Sequence, residues 1–279
     1  MKQIIVADPT GFCFGVRRAI ETLEKILSDE GPIYSLGMPI HNPQEVERLA
    51  KKGLVVVDSP DMIPPLSRIF IRAHGISSEL FSTLQKHSIH IVDGTCPFVK
   101  KAQERIKLLA REGYKICIIG NGNHPEIKAL QGIVEGKATV IEKKEDVTEI
   151  GKTAKLGVIS QTTQDSKVFA AIVSELALRT QEMRVYNTIC NATRERQDAT
   201  RKLAQFVDGI IVVGGRNSAN TGKLYDIARF SGIDVVWIEH AEELDRRWLS
   251  GKARVGITAG ASTPDWLISQ LKNTLSSRR

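Results

Sequence analysis

Three of the four cysteines stand in similar surroundings, and thiols are the most chemically distinctive groups in this chain. Cys13, Cys96 and Cys190 each open a segment whose apolar residues have helical spacing, as in Cys-Phe-Gly-Val-Arg-Arg-Ala from Cys13 onward. Three thiolates that meet at one point can ligate an iron–sulfur cluster or a zinc ion. A four-iron cluster held by only three cysteines keeps one iron open for a substrate, which is typical of a catalyst rather than an electron carrier.

The long intervals between these cysteines argue against structural zinc. Cys96 follows Cys13 by 83 residues and Cys190 follows Cys96 by 94, whereas zinc ligands usually include a pair a few residues apart. Cys117 has no counterpart in the other repeats and lies in the apolar run Lys-Ile-Cys-Ile-Ile-Gly, so we predict that it packs in the core. The sequence therefore predicts an iron–sulfur cluster on Cys13, Cys96 and Cys190.

Two further sets of polar residues recur in step with these cysteines. The first set lies 28 residues after each cysteine and consists of His41, His124 and Ser218. The second set follows a later strand in each repeat and consists of His74, Thr162 and Ser262. Histidines and the N–H groups of helix N-termini are suited to binding anions. We therefore expect a phosphate or diphosphate site formed by the histidines and serines of these sets together with a neighbouring asparagine, namely His41, His74, His124, Ser218, Asn220 and Ser262.

Each of these positions follows a short predicted strand and precedes a predicted helix, the pattern of parallel sheets with crossover helices. In such sheets functional residues lie at the carboxyl ends of the strands. We predict an α/β fold of three related units, 14–96, 97–190 and 191–279, arranged around a central cluster. The third unit lacks one strand, which the N-terminal segment 1–13 can supply.

Helix patterns support this division. The predicted apolar stripes are Ile20, Leu23 and Leu27 in the first cysteine-headed helix, Val99, Ala102, Ile106 and Leu109 in the second, and Ala199, Leu203 and Phe206 in the third. In each repeat a second helix is predicted to begin just after His41, His124 or Ser218. An asparagine, which is a good N-cap residue, lies beside each of these helix starts: Asn42, Asn123 and Asn220.

Glu126 follows His124 at a predicted helix start, and two interpretations remain open. A carboxylate there stabilises the positive end of the helix dipole in most proteins. Beside a substrate it could instead donate a proton. The sequence alone does not favour either role.

Composition excludes several classes of protein. The net charge is +7, but the basic residues are dispersed and aromatics amount to only 5%, so no nucleic-acid-binding surface is predicted. No apolar run is long enough to span a membrane, and Asp8 and Pro9 cut the N-terminal apolar run short of a signal peptide. We therefore expect a cytoplasmic protein.

Two segments resemble nucleotide-binding motifs, but neither matches its motif. The segment Gly120 to Pro125 lacks the third glycine of a dinucleotide turn, and the segment Gly215 to Lys223 has the wrong spacing for a phosphate-binding loop. Without a nicotinamide or flavin site, a reductase of this design must take its electrons from a partner protein.

Together these residues resemble the family of 4-hydroxy-3-methylbut-2-enyl diphosphate reductases, the LytB family, along essentially the whole chain. The motifs that support the resemblance are Gly11 to Val16, His41-Asn42, Arg72 to Gly75, Asp93 to Pro97, Gly122 to Glu126, Gln161 to Thr163, Asn187 to Cys190, Asn217 to Asn220 and Gly260 to Ser262.

The resemblance implies one [4Fe–4S] cluster on Cys13, Cys96 and Cys190, with one open iron. It implies a diphosphate pocket of His41, His74, His124, Ser218, Ala219, Asn220 and Ser262, with Glu126 as proton source and Thr162 placing the substrate hydroxyl. Many members have serine where this chain has Ala219, whose backbone N–H could still serve. We expect this difference to affect affinity slightly and the chemistry not at all.

The implied reaction is reductive dehydroxylation of the allylic diphosphate to isopentenyl and dimethylallyl diphosphates, the last step of the methylerythritol phosphate route. Ferredoxin or flavodoxin would be the electron donor, and both are acidic, which suits this basic chain. The alternatives are a quinolinate-synthase-like three-cysteine dehydratase, a redox-sensing iron–sulfur protein that binds nucleic acid, and a zinc-stabilised binding module.

Overall fold

The computed structural model describes residues 3–27, 31–86 and 90–276, which form short parallel strands separated by helices. The strands are β1 (Gln3–Val6), β2 (Ile33–Leu36), β3 (Leu54–Val57), β4 (Arg68–Ile71), β5 (His90–Asp93), β6 (Lys115–Ile119), β7 (Ala138–Ile141), β8 (Thr153–Ser160), β9 (Thr180–Val185), β10 (Gly209–Val213), β11 (Asp234–Ile238) and β12 (Arg254–Ala259). The helices are α1 (Phe14–Leu27), α2 (Pro43–Ala50), α3 (Ser78–Lys86), α4 (Pro97–Arg111), α5 (Pro125–Ile133), α6 (Ser166–Ala177), α7 (Asn191–Leu203), α8 (Ala219–Phe230) and α9 (Asp265–Ser276).

The described strands form three parallel four-stranded sheets with one shared topology. Their orders are β3-β2-β4-β5, β7-β6-β8-β9 and β11-β10-β12-β1. Every paired strand is parallel to its neighbour. The predicted α/β class with three parallel sheets is confirmed, while the central cluster and the limits of the three units stay predictions.

The strand missing from the third repeat comes from the N-terminus, as the sequence predicts. β1 pairs with β12 from Gln3 beside Arg254 to Val6 beside Ile257. This pairing leads the chain directly into the loop that contains Cys13. Gly11 in that loop has φ +74°, and a Cβ there would lie 1.9 Å from an Asp265 carboxylate oxygen, so only glycine fits.

Tertiary contacts divide the chain into two compact units. One comprises the chain up to Arg17, Ile40–Arg48 and the chain from Asn191, and the other comprises Arg18–Pro39 and Leu49–Cys190. The first unit contains the third sheet, covered on both faces. Side chains alternate along β10, so that Ile210 joins one buried cluster and Ile211 the other.

The second unit contains the other two sheets, and the middle sheet again has a core on each face. Ile116 and Ile118 pack against α4 and α5, while Cys117 and Ile119 pack against α6. Cys117 is fully buried, as predicted for a core residue. Within this unit the residue directly before α3 lies close to α5: a Cβ on Gly132 of α5 would lie 2.6 Å from the Ser77 side chain.

Local details differ from the sequence expectations at the helix ends. Asn42 caps α2 by accepting the Glu45 N–H at 2.9 Å, as expected. The caps of α5 and α8 are His124 and Ser218, so the expected caps Asn123 and Asn220 were wrong. Both real caps lie five residues after the end of the preceding strand, directly before the first helical residue.

The predicted apolar stripes of α1 and α4 are all buried, but that of α7 was partly wrong. Phe206 lies beyond the end of α7 and is 57% exposed. The buried face of α7 is instead mostly polar and includes Arg196, Gln197 and Thr200. Among the described residues, no helix has the length and apolar character needed to cross a membrane.

Candidate active site

Glu126 and Thr162 form a closed pair of hydrogen bonds at the end of the middle sheet. Pro125 begins α5 after β6, and Thr162 follows β8, the neighbouring parallel strand, so both positions lie at the same sheet edge. One carboxylate oxygen of Glu126 accepts the Thr162 backbone N–H at 2.7 Å, and the other accepts the Thr162 hydroxyl at 2.7 Å. The carboxylate is therefore held in one orientation.

Burial changes the acidity of this carboxyl group. Glu126 is 1% exposed, and the loss of solvation raises its pKa to about 7, although the two hydrogen bonds from Thr162 act in the opposite direction. A carboxyl group with this pKa is substantially protonated near neutral pH and can donate a proton. The geometry therefore favours the proton-donor role that the sequence left open.

His124 lies beside this carboxyl group as the N-cap of α5. Its Nδ1 accepts the Glu126 backbone N–H at 3.2 Å, so the proton of the neutral imidazole lies on Nε2. The ring of His74 meets the ring of His124 edge to face, with 5.2 Å between centroids. His74 belongs to the loop after β4, so the two histidines come from different sheets of the same unit.

Two predicted cluster ligands are joined to these residues by backbone hydrogen bonds. The Cys96 N–H donates to the Ala73 carbonyl at 3.0 Å, one residue before His74, and Cys96 is the N-cap of α4. The Cys190 N–H donates to the Thr162 carbonyl at 3.0 Å. A continuous path of contacts and adjacent residues thus runs through Cys96, Ala73, His74, His124, Glu126, Thr162 and Cys190.

The other unit repeats parts of this arrangement around Cys13. The Cys13 N–H donates to the Ala261 carbonyl at 3.0 Å, and the Cys13 sulfur accepts the Val16 N–H at 3.5 Å in the first turn of α1. A backbone N–H that donates to the sulfur, as that of Val16 does, stabilises a thiolate or a cluster-bound sulfur. Next to Ala261, the Ser262 hydroxyl donates to the His41 carbonyl at 3.0 Å.

The start of α8 presents polar groups in the same unit. Ser218 is the N-cap and accepts the Thr221 N–H at 3.2 Å, while Ala219 is the first helical residue. Asn220 is only 4% exposed, yet neither its amide nitrogen nor its carbonyl oxygen has a hydrogen-bond partner among the described residues. Buried polar groups without partners are costly, and they are common where a ligand supplies the partner.

The cysteines are in the reduced form that ligation of a metal cluster requires. None of the four cysteines, all of which are described, forms a disulfide bond. Cys13, Cys96 and Cys190 are partly exposed, each directly before a helix, where the helix dipole favours an anion. Cys117 differs, because burial raises its pKa to about 12 and keeps it a thiol.

Two supporting residues were missed in the sequence. Arg196 is buried and donates to the carbonyl of Gly11, just before Cys13, at 2.8 Å. Thr188 accepts the Ser160 N–H at 2.8 Å and donates to the Ser160 carbonyl at 2.5 Å, which fixes the loop before Cys190. Arg196 could have been identified from the sequence, because an arginine on the predicted buried face of a helix indicates a buried partner. The Thr188 contacts have no comparable local signal.

Comparisons with known proteins agree along the whole chain. The family model described as LytB protein matches residues 4–276. A 4-hydroxy-3-methylbut-2-enyl diphosphate reductase from Aquifex aeolicus (strain VF5) is 44% identical over 279 residues, covering 99% of this chain and 96% of the relative.

Two solved structures are also similar. The E-1-hydroxy-2-methyl-but-2-enyl-4-diphosphate reductase from Plasmodium falciparum has a TM-score of 0.94 at 30% identity, covering 99% of this chain and 88% of that chain. A second, (E)-4-hydroxy-3-methyl-but-2-enyl diphosphate reductase, described as the terminal enzyme of the non-mevalonate pathway, has a TM-score of 0.72 at 43% identity, with 99% of each chain covered. On this evidence, the chain belongs to the LytB family.

Proposed function

We propose that this protein reduces 4-hydroxy-3-methylbut-2-enyl diphosphate to isopentenyl and dimethylallyl diphosphates, the terminal step of the non-mevalonate pathway. The allylic C–O bond breaks, a C–H bond forms, and two electrons and two protons are consumed with release of one water. The observation that supports this best is the buried Glu126 carboxyl group held by Thr162, in a chain of this family. A proton donor is what the departing hydroxyl requires.

A [4Fe–4S] cluster on Cys13, Cys96 and Cys190 would provide the electrons. The support is the repeated sequence phase of the three cysteines and their shared position before a helix. When bound, such a cluster supplies electrons one at a time and, with three protein ligands, has one iron open to a substrate. Cys117 is not proposed as a ligand, because it lies fully buried in the core.

The diphosphate would be bound by His41, His74, His124, Ser218, the Ala219 N–H, Asn220 and Ser262. Asn220 offers a buried amide that lacks a protein partner, and the start of α8 offers N–H groups to an anion. Because the Nδ1 of His124 accepts the Glu126 N–H at the α5 N-terminus, the neutral tautomer has its proton on Nε2, and this N–H would donate to the diphosphate. Such contacts fix the substrate, so that its hydroxyl can lie near Thr162.

Glu126 and Thr162 would then control the proton. Since the pKa of Glu126 is raised to about 7, the group can be protonated before turnover and ionised after it. The Thr162 hydroxyl, at 2.7 Å from the carboxylate, stabilises the ionised form and helps to place the substrate hydroxyl. Ferredoxin or flavodoxin is the proposed electron donor, and the net charge of +7 would favour association with such acidic proteins.

The proposal can be tested by anaerobic oxidation of reduced methyl viologen, with and without the hydroxylated allylic diphosphate. We expect substrate-dependent oxidation that yields both five-carbon diphosphates, and none from protein freed of iron. A protein that contains its full complement of iron and sulfide but neither oxidises viologen nor forms these products would contradict the proposal. That result would favour the quinolinate-synthase-like dehydratase, which needs no external electrons.

A further inference from the structure

We infer that the exposed first turns of α4, at Phe98 and Lys101, form the docking surface for an acidic one-electron carrier protein. This inference rests on the proposed function, which requires an external donor, and it adds the place where the donor binds. Three independent features of α4 support it: its position, its exposed aromatic ring and its charge.

The position of α4 links its exposed residues to a proposed cluster ligand. Cys96 is the N-cap of the helix, and its carbonyl accepts the Lys100 N–H at 3.0 Å in the first turn. Phe98 and Lys101 follow Cys96 by two and five residues, which places Lys101 about 7.5 Å farther along the axis at ~1.5 Å per residue. A protein bound here would lie within about two helical turns of Cys96.

The aromatic ring provides an apolar anchor. Phe98 is 36% exposed, although its neighbour Val99 is buried in the same turn. The preceding Pro97 is exposed as well. An exposed aromatic residue surrounded by polar side chains is typical of the centre of a protein–protein interface, where desolvation of the ring provides much of the affinity.

Charge distinguishes α4 from the other two cysteine-headed helices. It contains five basic residues and one acidic residue, whereas α1 contains three and two, and α7 contains four and two. Lys100 is already paired with Asp93 at 2.5 Å. Lys101 is exposed and has no ion-pair partner within the described part of the chain. The one acidic residue of the helix, Glu104, is exposed one turn farther on.

A further positive charge contacts the residue that precedes Cys96. The guanidinium of Arg18, in the same unit, donates to the Thr95 carbonyl at 3.3 Å. Thr95 directly precedes Cys96, so a second cationic side chain contacts the backbone next to this proposed ligand. Electrostatic attraction of this kind accelerates association with an acidic partner and weakens with salt.

The test compares two electron sources for the cluster-loaded enzyme. Reduced flavodoxin must dock, whereas reduced methyl viologen, a small cation, needs no docking surface. We expect Lys101→Glu to lower the flavodoxin-supported kcat/KM about tenfold and to flatten its salt dependence, while viologen-supported turnover stays within about twofold of wild type. Phe98→Ala should lower the flavodoxin-supported rate in the same selective way.

Arg111→Glu is the matched control. It makes the same change of charge on an exposed residue of α4, about 15 Å farther along the axis than Lys101. We expect less than a twofold effect with either electron source. Equal losses for Lys101→Glu and Arg111→Glu would overturn the local docking surface, as would unchanged flavodoxin kinetics in Lys101→Glu. Failure of the wild type to turn over with viologen would instead overturn the proposed function.

Discussion

The backbone carbonyl of Thr162 accepts the Cys190 N–H at 3.0 Å, while the N–H and hydroxyl of the same threonine hold the Glu126 carboxylate. One residue therefore fixes the position of a proposed proton donor relative to the backbone of a proposed cluster ligand. Movement of the loop after β8 would displace both groups together. Proton delivery and electron delivery would then depend on one short segment.

The first prediction concerns the Glu126 carboxyl group. We expect Glu126→Gln to reduce kcat by about 10²–10⁴-fold, the usual contribution of a general acid, because the amide cannot donate an acidic proton. Substrate affinity and the iron content should change little. Glu135→Gln, a change of the same kind at an exposed residue after α5, should leave kcat unaltered. A Glu126→Gln enzyme with wild-type kcat would show that another group supplies the proton.

The raised pKa of Glu126 predicts how turnover depends on pH. The acid form is the active one, so viologen-supported kcat should fall as pH rises through about 7. The remaining activity of Glu126→Gln should lack this step. Rate profiles of both proteins, measured at saturating substrate, check the prediction. The same step in the variant would assign the titration to a different group.

The free energy of unfolding should also depend on the protonation of Glu126. Its pKa is about 7 in the folded chain against 4.5 for an ordinary glutamate, so the folded state binds more protons between these values. The free energy of unfolding should therefore fall as pH rises from about 4.5 to about 7 and then level off. Urea unfolding of the iron-free protein should show this decline in wild type, and a smaller one in Glu126→Gln.

Cysteine variants separate the proposed ligands from the core thiol. We expect Cys190→Ser to lose most of its iron, sulfide and activity. Cys117→Ser should keep both its cluster and its activity, although a hydroxyl in that apolar site should lower the free energy of unfolding by roughly 1–3 kcal/mol. Anaerobic iron and sulfide analysis distinguishes the two. Full iron content in Cys190→Ser, or cluster loss from folded Cys117→Ser, would contradict the assignment.

Replacing Asn220 should change substrate binding without lowering the stability of the protein. Its buried amide has no partner in the described structure, so Asn220→Ala should leave the melting temperature unchanged or raise it slightly. The same change should raise KM for the diphosphate about tenfold to a hundredfold, the value of a hydrogen bond to a charged group. Asn273→Ala, at an exposed position in α9, is the control. A large fall in melting temperature with unchanged KM would assign Asn220 to the fold alone.

Much of this architecture could be predicted from the sequence, because repeated strand–turn–helix segments have strong local signals. The parallel sheets, the contribution of β1 to the third sheet and the burial of Cys117 are all confirmed. Two things limited prediction from the sequence. Neighbouring residues can compete for the same role, and some partners are far apart in sequence. Asn220 seemed a helix cap, but Ser218 takes that role two residues earlier, which leaves the asparagine amide inside the helix without a partner.

Glu126 illustrates the second limit. Its local sequence fits a simple helix-dipole residue equally well, and only Thr162, 36 residues later, distinguishes the two roles. Phe206 shows a related error, because apolar spacing suggested one more turn of α7 than the chain forms. The buried face of that helix holds Arg196, which bonds to Gly11 across 185 residues of sequence. Partners at such separations leave no periodic pattern to detect.

The pairing of β1 with β12 also has a consequence for biosynthesis. Gln3 emerges from the ribosome 251 residues ahead of its neighbour Arg254, which amounts to about 12–50 s of translation at roughly 5–20 residues per second. During that interval the two sheets of β2–β9 can already fold, while β1 has no edge to join. The hydrogen bond from the Cys13 N–H to the Ala261 carbonyl can form only near the end of translation. The first cysteine to be synthesised is thus the last to be fixed in place, which would make loading of the proposed three-cysteine cluster a late event.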